Sequence, residues 1–111
     1  MNKLKPIGLD IEQISDNVKR VRSRLVSDEE FILPENELIH LLLHWSAKEA
    51  MFKFIDVEGV DFLRNLFVQK FIPNEKEGIF KAWETRTSEA YTFNAFYRIE
   101  KDFVLVCLEA G

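Results

Sequence analysis

Residues 35–55 constrain the fold of this chain most, because their apolar side chains recur at the spacing of a helix. The run is long, and turn-forming residues follow it, so it predicts one extended α-helix. The apolar positions that carry this pattern are Leu38, Leu41, Leu42, Trp45, Ala50 and Phe52.

Strand-like segments lie on both sides of this predicted helix. The segment PIGLDIEQI, residues 6–14, alternates apolar and polar residues, and this period of two predicts a first strand. Apolar segments bounded by turn residues predict four more strands, at residues 66–72, 78–87, 90–99 and 102–110. The short connections Ser88-Glu89 and 100–102 predict hairpins between the last three.

Two short helical segments are predicted between the first strand and the long helix. Asp16 is typical of an N-cap and predicts a helix over about residues 17–25. Ser27 followed by Glu30 matches a capping box and predicts another helical turn, which Pro34 ends. This order of elements predicts an α+β fold, with an antiparallel sheet packed against the long helix and one or two short helices.

Length and composition indicate a single small domain. The chain has 111 residues, which predicts one domain spanning residues 1–111. It is 47% hydrophobic and contains ten Phe, so one modest core can form. We interpret the Phe-rich segment FNAFYRIEKDF, residues 93–103, as a core-facing sheet, with a seam between subunits as the alternative.

The charge pattern argues against nucleic acid as a partner. The net charge is −4, with Lys and Arg mixed among Asp and Glu, whereas a nucleic-acid binder needs a basic surplus on one face. The one basic cluster, KRVRSR at residues 19–24, is interpreted as the solvated face of a short helix. A patch that meets phosphates or an acidic protein partner is the alternative.

The sequence features that report on location predict a cytoplasmic protein. The start of the sequence has no apolar signal region, and no apolar run approaches the length of a membrane span. The single cysteine, Cys107, rules out an internal disulfide and is expected to be a buried, inert thiol.

Asp10 and Glu12 are the first candidate site residues, because residues two apart on a strand point to the same side. The opposite side of the strand carries Ile7, Leu9 and Ile11, which can be buried. An ordinary strand with a wet polar face explains the pattern. The functional alternative is a hard cation such as Mg²⁺, which takes carboxylate oxygens as ligands.

Trp45, Glu49 and Lys53 lie four residues apart, so they form one stripe on the helix. A surface ion pair between Glu49 and Lys53 is the simplest interpretation. Charges beside an apolar stripe are costly unless a site uses them. Glu49 is therefore a candidate third carboxylate for a metal, and Lys53 a candidate phosphate contact.

His40 and His44 also lie four residues apart, a spacing that can bind zinc. The Glu of an HExxH motif is absent and no third ligand is evident. We therefore interpret them as partly exposed helix residues, or as a pair of which one packs in the core.

Two of these motifs together resemble the signatures of the 4'-phosphopantetheinyl transferases. Residues 8–12, GLDIE, resemble the G-[IV]-D-x-E strand of that family, and residues 45–53, WSAKEAMFK, resemble its W-[ST]-x-K-E-[AS]-x-x-K helix. Their spacing, and the RLVSDEE segment at residues 24–30, are also similar to the family. The Trp before KEA is closest to the large, surfactin-synthetase-activating type.

The resemblance implies transfer of the phosphopantetheine arm of coenzyme A to a serine of an acyl or peptidyl carrier protein, with release of 3',5'-ADP. Carried over by position, it implies that Asp10, Glu12 and Glu49 hold Mg²⁺ against the pyrophosphate. It further implies that Glu49 helps to remove the serine proton and that Lys53 contacts the phosphate and assists the leaving group. Lys48 is implied as either a phosphate contact or a structural contact.

The chain departs from the large type in its length. Members of that type are about twice as long and bind coenzyme A between two similar halves, and this sequence resembles the C-terminal half only. The compact holo-acyl-carrier-protein synthase type has about this length and builds its sites between subunits. We therefore expect either a homo-oligomer or a missing N-terminal half. A half without a complete pocket predicts the alternative function, a non-enzymatic interaction domain.

Overall fold

The computed structural model describes residues 7–111, and within them one long helix packs against an antiparallel sheet. The elements, in chain order, are β1 (Gly8–Gln13), a 3-10 helix (Asp16–Val21), α1 (Arg22–Leu25), a 3-10 turn (Pro34–Asn36), α2 (Glu37–Ile55), α3 (Phe62–Asn65), β2 (Leu66–Val68), β3 (Glu77–Glu84), β4 (Thr92–Ile99) and β5 (Phe103–Ala110). The predicted α+β architecture is confirmed. Pro6, which the predicted first strand includes, lies outside the described residues.

The five strands are antiparallel and lie in the order β1-β5-β4-β3-β2. One face of this sheet, called here the inner face, packs against α2 and forms the core with it. Alternate strand residues supply the sheet side of the core, as the period of two requires. Fully buried residues include Leu41, Leu43 and Met51 of α2, and Phe93, Ala95, Val104, Val106 and Leu108 of the sheet.

The predicted helix over residues 35–55 is confirmed, with a slightly later start. Pro34 occupies the first position of the 3-10 turn, where its missing N–H costs nothing, and α2 continues from there. The helix ends at Asp56, whose backbone is left-handed at φ 46° and whose N–H bonds to the Phe52 carbonyl.

The side chains of β1 point in the directions opposite to those predicted. Leu9 and Ile11 are 55% and 56% exposed, whereas Asp10 is only 6% exposed. The physical reason is the register with β5, which pairs Asp10 with Val106, a fully buried residue of the inner face. A carboxylate therefore points toward α2, and two large aliphatic side chains point away from it.

The two short helical segments also differ from the prediction. Ser15, rather than Asp16, is the N-cap, and its hydroxyl accepts a hydrogen bond from the Asn17 N–H. The segment is then 3-10 before it becomes α1. Residues 27–30 form a turn, because the Glu30 carboxylate accepts from the Ser27 N–H and also bonds to Lys48 and Val68, which draw it into tertiary contacts.

Two strand boundaries are corrected by the structure. The strand predicted at 66–72 ends at Val68. The connection between β3 and β4 runs over residues 85–91, because the buried Glu84 carboxylate organises it by accepting hydrogen bonds from the backbone of Arg86, Thr87 and Tyr91. A two-residue hairpin turn was therefore the wrong prediction there.

The remaining expectations concern His40, His44 and Cys107. Both histidines are buried, whereas the sequence predicted that they are partly exposed or that one of them packs in the core. Phe71 packs against both rings. Cys107 is half-buried rather than buried. Among residues 7–111, no helix has the length and apolar character needed to cross a bilayer.

Candidate active site

The candidate site lies where β1 packs against α2. Gly8 packs against Ala50 of α2, because a Cβ at this position would lie 3.4 Å from the Ala50 carbonyl oxygen and 3.5 Å from the Ala50 Cβ, in van der Waals contact. The close approach brings the inward-facing Asp10 and Glu12 of β1 beside the helix residues of the second motif. Two motifs distant in sequence therefore share one surface.

Asp10 is the most firmly held residue of the site. The Ser46 hydroxyl lies 2.8 Å from Asp10 Oδ2 and 3.2 Å from the Asp10 carbonyl oxygen, and it donates to them. Lys53 Nζ lies 3.2 Å from Asp10 Oδ1. The buried carboxylate thus has a neutral donor on one oxygen and a cation on the other, as a buried charge requires.

Glu12 lies in an environment that disfavours its ionised form. Burial, together with hydrogen bonding to Asp10 and the charges of Asp10 and Glu49, raises the pKa of Glu12 to about 8. A hydrogen bond from Trp45 opposes this shift. Glu12 therefore holds a proton at neutral pH unless a divalent cation enters the cluster.

Glu49 and Lys53 respond to the same cluster in opposite ways. Burial, and then the charge of Asp10, raises the pKa of Glu49, although Lys53 opposes the shift. Hydrogen bonding to Asp10 raises the pKa of Lys53. These interactions indicate a concentration of negative charge around Asp10, with the Lys53 ammonium as its counterion.

The donor chemistry of this cluster fits a hard divalent cation, since all three candidate ligands are carboxylates. The side chains are not arranged as a metal site, however: among residues 7–111, no three His, Cys, Asp or Glu are grouped so that they could hold a metal ion. The expectation that Asp10, Glu12 and Glu49 share one Mg²⁺ stays a prediction.

Lys48, adjacent to Glu49 in sequence, has a separate environment. Its side chain is fully buried, and Nζ lies 2.6 Å from the Leu25 carbonyl oxygen, 2.8 Å from Glu30 Oε1 and 3.3 Å from the Phe62 carbonyl oxygen. Burial lowers the pKa of Lys48, and the Glu30 carboxylate opposes this effect. Of its two implied roles, these contacts support the structural one, because no part of the ammonium faces solvent.

Two cavities flank Trp45. One, of about 280 Å³, is lined by Glu12 and by residues of the segment 13–21. The other, of about 360 Å³, is lined by Glu49, Arg24 and the aromatic side chains of Phe52 and Phe62. The carboxylate cluster therefore borders a cavity on each side of the Trp45 indole. The cavity at Glu49 has apolar walls and contains the guanidinium of Arg24.

The roles of two residues at this site, Ser46 and Arg24, were not predicted from the sequence. Ser46 was part of the helix motif but received no role, and only the fold shows that its hydroxyl holds Asp10. Arg24 was counted within a solvated basic cluster, although it lines the cavity at Glu49. The motif position of Ser46 could have indicated it, but no sequence signal separates Arg24 from its basic neighbours.

Comparison with known proteins identifies one family. The model of the 4'-phosphopantetheinyl transferase superfamily matches residues 6–107. Neither the curated proteins nor the solved structures contain a match. The family match covers both motifs and all the candidate site residues.

Proposed function

This chain belongs to the 4'-phosphopantetheinyl transferase superfamily, and we propose that it transfers the 4'-phosphopantetheine arm of coenzyme A to a serine of an acyl or peptidyl carrier protein in a Mg²⁺-dependent reaction. The by-product of this reaction is 3',5'-ADP. The proposal includes the activity of these 111 residues.

The observation that carries this proposal is the charge environment of Asp10. The Lys53 ammonium pairs with Asp10 at 3.2 Å, and the pKa values of Glu12 and Glu49 are raised by burial and by the neighbouring carboxylates. A divalent cation bound between these carboxylates would stabilise their ionised forms. A site that accepts a divalent cation is suited to hold a pyrophosphate in front of it.

In the proposed reaction, Asp10, Glu12 and Glu49 would hold the Mg²⁺, which neutralises charge on the pyrophosphate of bound coenzyme A. Ser46 keeps Asp10 oriented through its hydroxyl. A cation held there would supply a second positive charge beside Asp10, and the Lys53 ammonium, whose side chain is 60% exposed, would then be available to contact a phosphate oxygen.

Glu49 is the candidate for removing the proton of the carrier serine. Its raised pKa makes it a better proton acceptor than an ordinary carboxylate, provided that it is ionised when the serine arrives. It lines the cavity of about 360 Å³ beside Trp45. Lys53 is the candidate for assisting the departure of 3',5'-ADP, because it can neutralise or protonate the leaving phosphate oxygen.

The test is a transfer assay with a fluorescent coenzyme A analogue, Mg²⁺ and a panel of apo carrier proteins. We expect labelled carrier with the wild-type chain, and a loss of at least roughly 100-fold with Asp10→Asn or Glu49→Gln, since positioning and charge neutralisation supply most of the catalysis. Glu58→Gln, an exposed carboxylate beyond the end of α2, is the matched control and should retain activity.

The assay also separates the enzyme from the alternative, an interaction domain. If the folded chain labels no carrier, while a known transferase labels the same carriers in parallel, the proposed activity of these 111 residues is wrong. Binding of an apo carrier protein without transfer, measured by calorimetry, would then support the interaction domain.

A further inference from the structure

The Ser46 hydroxyl holds Asp10 at two points. It lies 2.8 Å from Oδ2 and 3.2 Å from the backbone carbonyl oxygen of Asp10, so its single proton is shared between the two acceptors. The carbonyl belongs to β1, whose backbone is fixed by pairing with β5. Because one donor joins Oδ2 to this fixed carbonyl, the carboxylate cannot rotate about its Cβ–Cγ bond without losing the contact.

The two oxygens of the Asp10 carboxylate have different surroundings. Oδ2 contacts Ser46, which has no exposed surface. Oδ1 lies 3.2 Å from the ammonium of Lys53, whose side chain is mostly exposed. A ligand that arrives from solvent therefore meets Oδ1, whereas Oδ2 is already engaged in the buried layer between β1 and α2.

The ion pair with Lys53 does not provide the same restraint. The Lys53 side chain is long and mostly exposed, so holding this pair in one geometry gains little free energy. The Ser46 contact is short and buried, and it comes from the middle of α2. Ser46 is therefore the residue that sets which oxygen of Asp10 is available.

Divalent cations differ in how they use a carboxylate. Mg²⁺ requires a near-ideal octahedron with ligands at roughly 2.0–2.1 Å, whereas Ca²⁺ accepts about six to eight oxygens in flexible geometry and takes one or both oxygens of a carboxylate. The two oxygens of one carboxylate lie too close together to fill two corners of a small octahedron. Restricting a carboxylate to one oxygen therefore suits Mg²⁺ and deprives Ca²⁺ of a ligand atom.

We propose that Ser46 is a positioning residue that makes Asp10 a ligand through one oxygen, and that it thereby favours Mg²⁺ over Ca²⁺ at the candidate site. This role rests on the proposed function, because it takes the cation of that reaction as the ligand of Asp10. Hydrogen-bond partners behind a metal ligand commonly orient it in this way. The role concerns one ligand, so it does not require Glu12 and Glu49 to converge on the same ion.

A purely structural role for Ser46 would give a different result. Its hydroxyl also helps to hold β1 against α2, so its loss would loosen the whole site. Both cations would then lose affinity to a similar extent. The ratio of the two affinities changes only if Ser46 controls how many oxygens Asp10 offers, and this ratio is therefore the quantity to measure.

Calorimetric titration of the chain with MgCl₂ and with CaCl₂, at one pH and one ionic strength, gives both dissociation constants. We expect Ser46→Ala to weaken Mg²⁺ binding about 10-fold and Ca²⁺ binding less than about 3-fold, because the released Oδ2 can join Oδ1 on the larger ion. Ser23→Ala, at an exposed position of α1, is the matched control and should leave both constants unchanged.

Two further variants separate the hydrogen bond from packing. Ser46→Cys keeps most of the buried volume and replaces the hydroxyl with a weak donor, so it tests the contact even if Ser46→Ala unfolds the chain. It should shift the ratio in the same direction as Ser46→Ala. Ser46→Thr keeps the hydroxyl and should retain the wild-type ratio. Circular dichroism confirms that each variant is folded.

The outcomes distinguish this role from the proposed function. Equal losses of Mg²⁺ and Ca²⁺ affinity in Ser46→Ala and Ser46→Cys would overturn the role and leave the transfer reaction standing. A shifted ratio in a chain that labels no carrier protein would support the role and refute the reaction. A wild-type chain that binds neither cation would overturn the role and the Mg²⁺ dependence together.

Discussion

At the scale of single residues, the site depends on a serine hydroxyl that holds a buried aspartate. Ser46 has no exposed surface, and its hydroxyl reaches Asp10 from the facing helix. This contact explains how a carboxylate can point into the inner face of a sheet. It also limits how far Asp10 can turn, which matters for any ligand that approaches its other oxygen.

We expect Ser46→Ala to lower the free energy of unfolding by roughly 1.5–3 kcal/mol, because a hydrogen bond to a charged, buried group is lost. Urea denaturation measures this change. Ser23→Ala, at an exposed position of α1, removes a hydroxyl without a buried partner and should change stability by less than about 0.5 kcal/mol. Equal effects of the two substitutions would show that the Asp10 contact contributes nothing.

Glu12 makes the stability of the chain depend on pH. Its pKa rises from 4.5 to about 8 on folding, so folding favours the protonated form. The stabilisation is fully present below about pH 4.5 and is lost as the pH rises through about 8. After a discount for solvent screening, we expect a loss of roughly 1–2 kcal/mol between about pH 5 and about pH 9.

The comparison of wild type with Glu12→Gln isolates this effect, because glutamine cannot titrate. The wild-type free energy of unfolding, measured by urea denaturation, should fall over this range, and the fall should be smaller in Glu12→Gln. Mg²⁺ should offset the fall in wild type at high pH, since a bound cation favours the ionised carboxylate. Parallel curves for the two proteins would contradict the assigned proton on Glu12.

At the scale of elements, α2 contains a buried histidine pair that the helix pattern alone does not explain. His40 Nδ1 accepts the Leu33 N–H at 2.9 Å, and His44 Nδ1 lies 3.0 Å from the His40 carbonyl oxygen. In the described part of the chain, the Nε2 atoms of both rings are buried without a hydrogen-bond partner. The helix therefore carries polar groups whose protonation the core opposes.

Burial lowers the pKa of His44 to about 3 and that of His40 to about 4. For a base whose pKa falls on folding, the stabilisation is complete above about pH 6.5 and is lost as the pH falls toward the folded value. We expect His44 to contribute a loss of about 2 kcal/mol between about pH 6.5 and about pH 5. His44→Leu should reduce this part of the pH dependence in denaturation experiments, and an unchanged acid slope would contradict it.

At the scale of the whole molecule, the Lys48–Glu30 pair joins parts of the chain that are far apart in sequence. Lys48 of α2 contacts the end of α1, Glu30 and the start of α3. The second carboxylate oxygen of Glu30 accepts the Val68 N–H of β2 at 2.8 Å. The pair thus fixes the segments that surround one end of the candidate site.

We expect Lys48→Met to destabilise the chain by roughly 3–5 kcal/mol, because it leaves the buried Glu30 carboxylate without its cation. The double variant Lys48→Met/Glu30→Gln should recover at least about 1 kcal/mol, since no uncompensated charge remains. Thermal or urea denaturation measures both. Lys76→Met, at an exposed position, is the control. If Lys48→Met destabilises the chain no more than this control, the structural role of Lys48 is wrong and a phosphate contact is the remaining interpretation.

The sequence by itself determined the class of the fold and the family, because both depend on local patterns. The apolar period of α2 and the alternation in the later strands are repeated over enough residues to predict the elements. The motifs at residues 8–12 and 45–53 are contiguous, so they could be read without knowing how the chain folds.

Only the tertiary structure decided which way each side chain faces. The sequence of β1 allows either of its two alternating sets of residues to face the core. The pairing of Asp10 with Val106 decides between them, because it buries the Asp10 carboxylate and exposes Leu9. On α2, Lys48 and Glu49 are adjacent in sequence but project from the helix in different directions. Lys48 therefore forms a buried ion pair with Glu30, whereas Glu49 lies at the candidate site. Burial depends on the surface that covers a residue, and residues distant in the chain supply that surface.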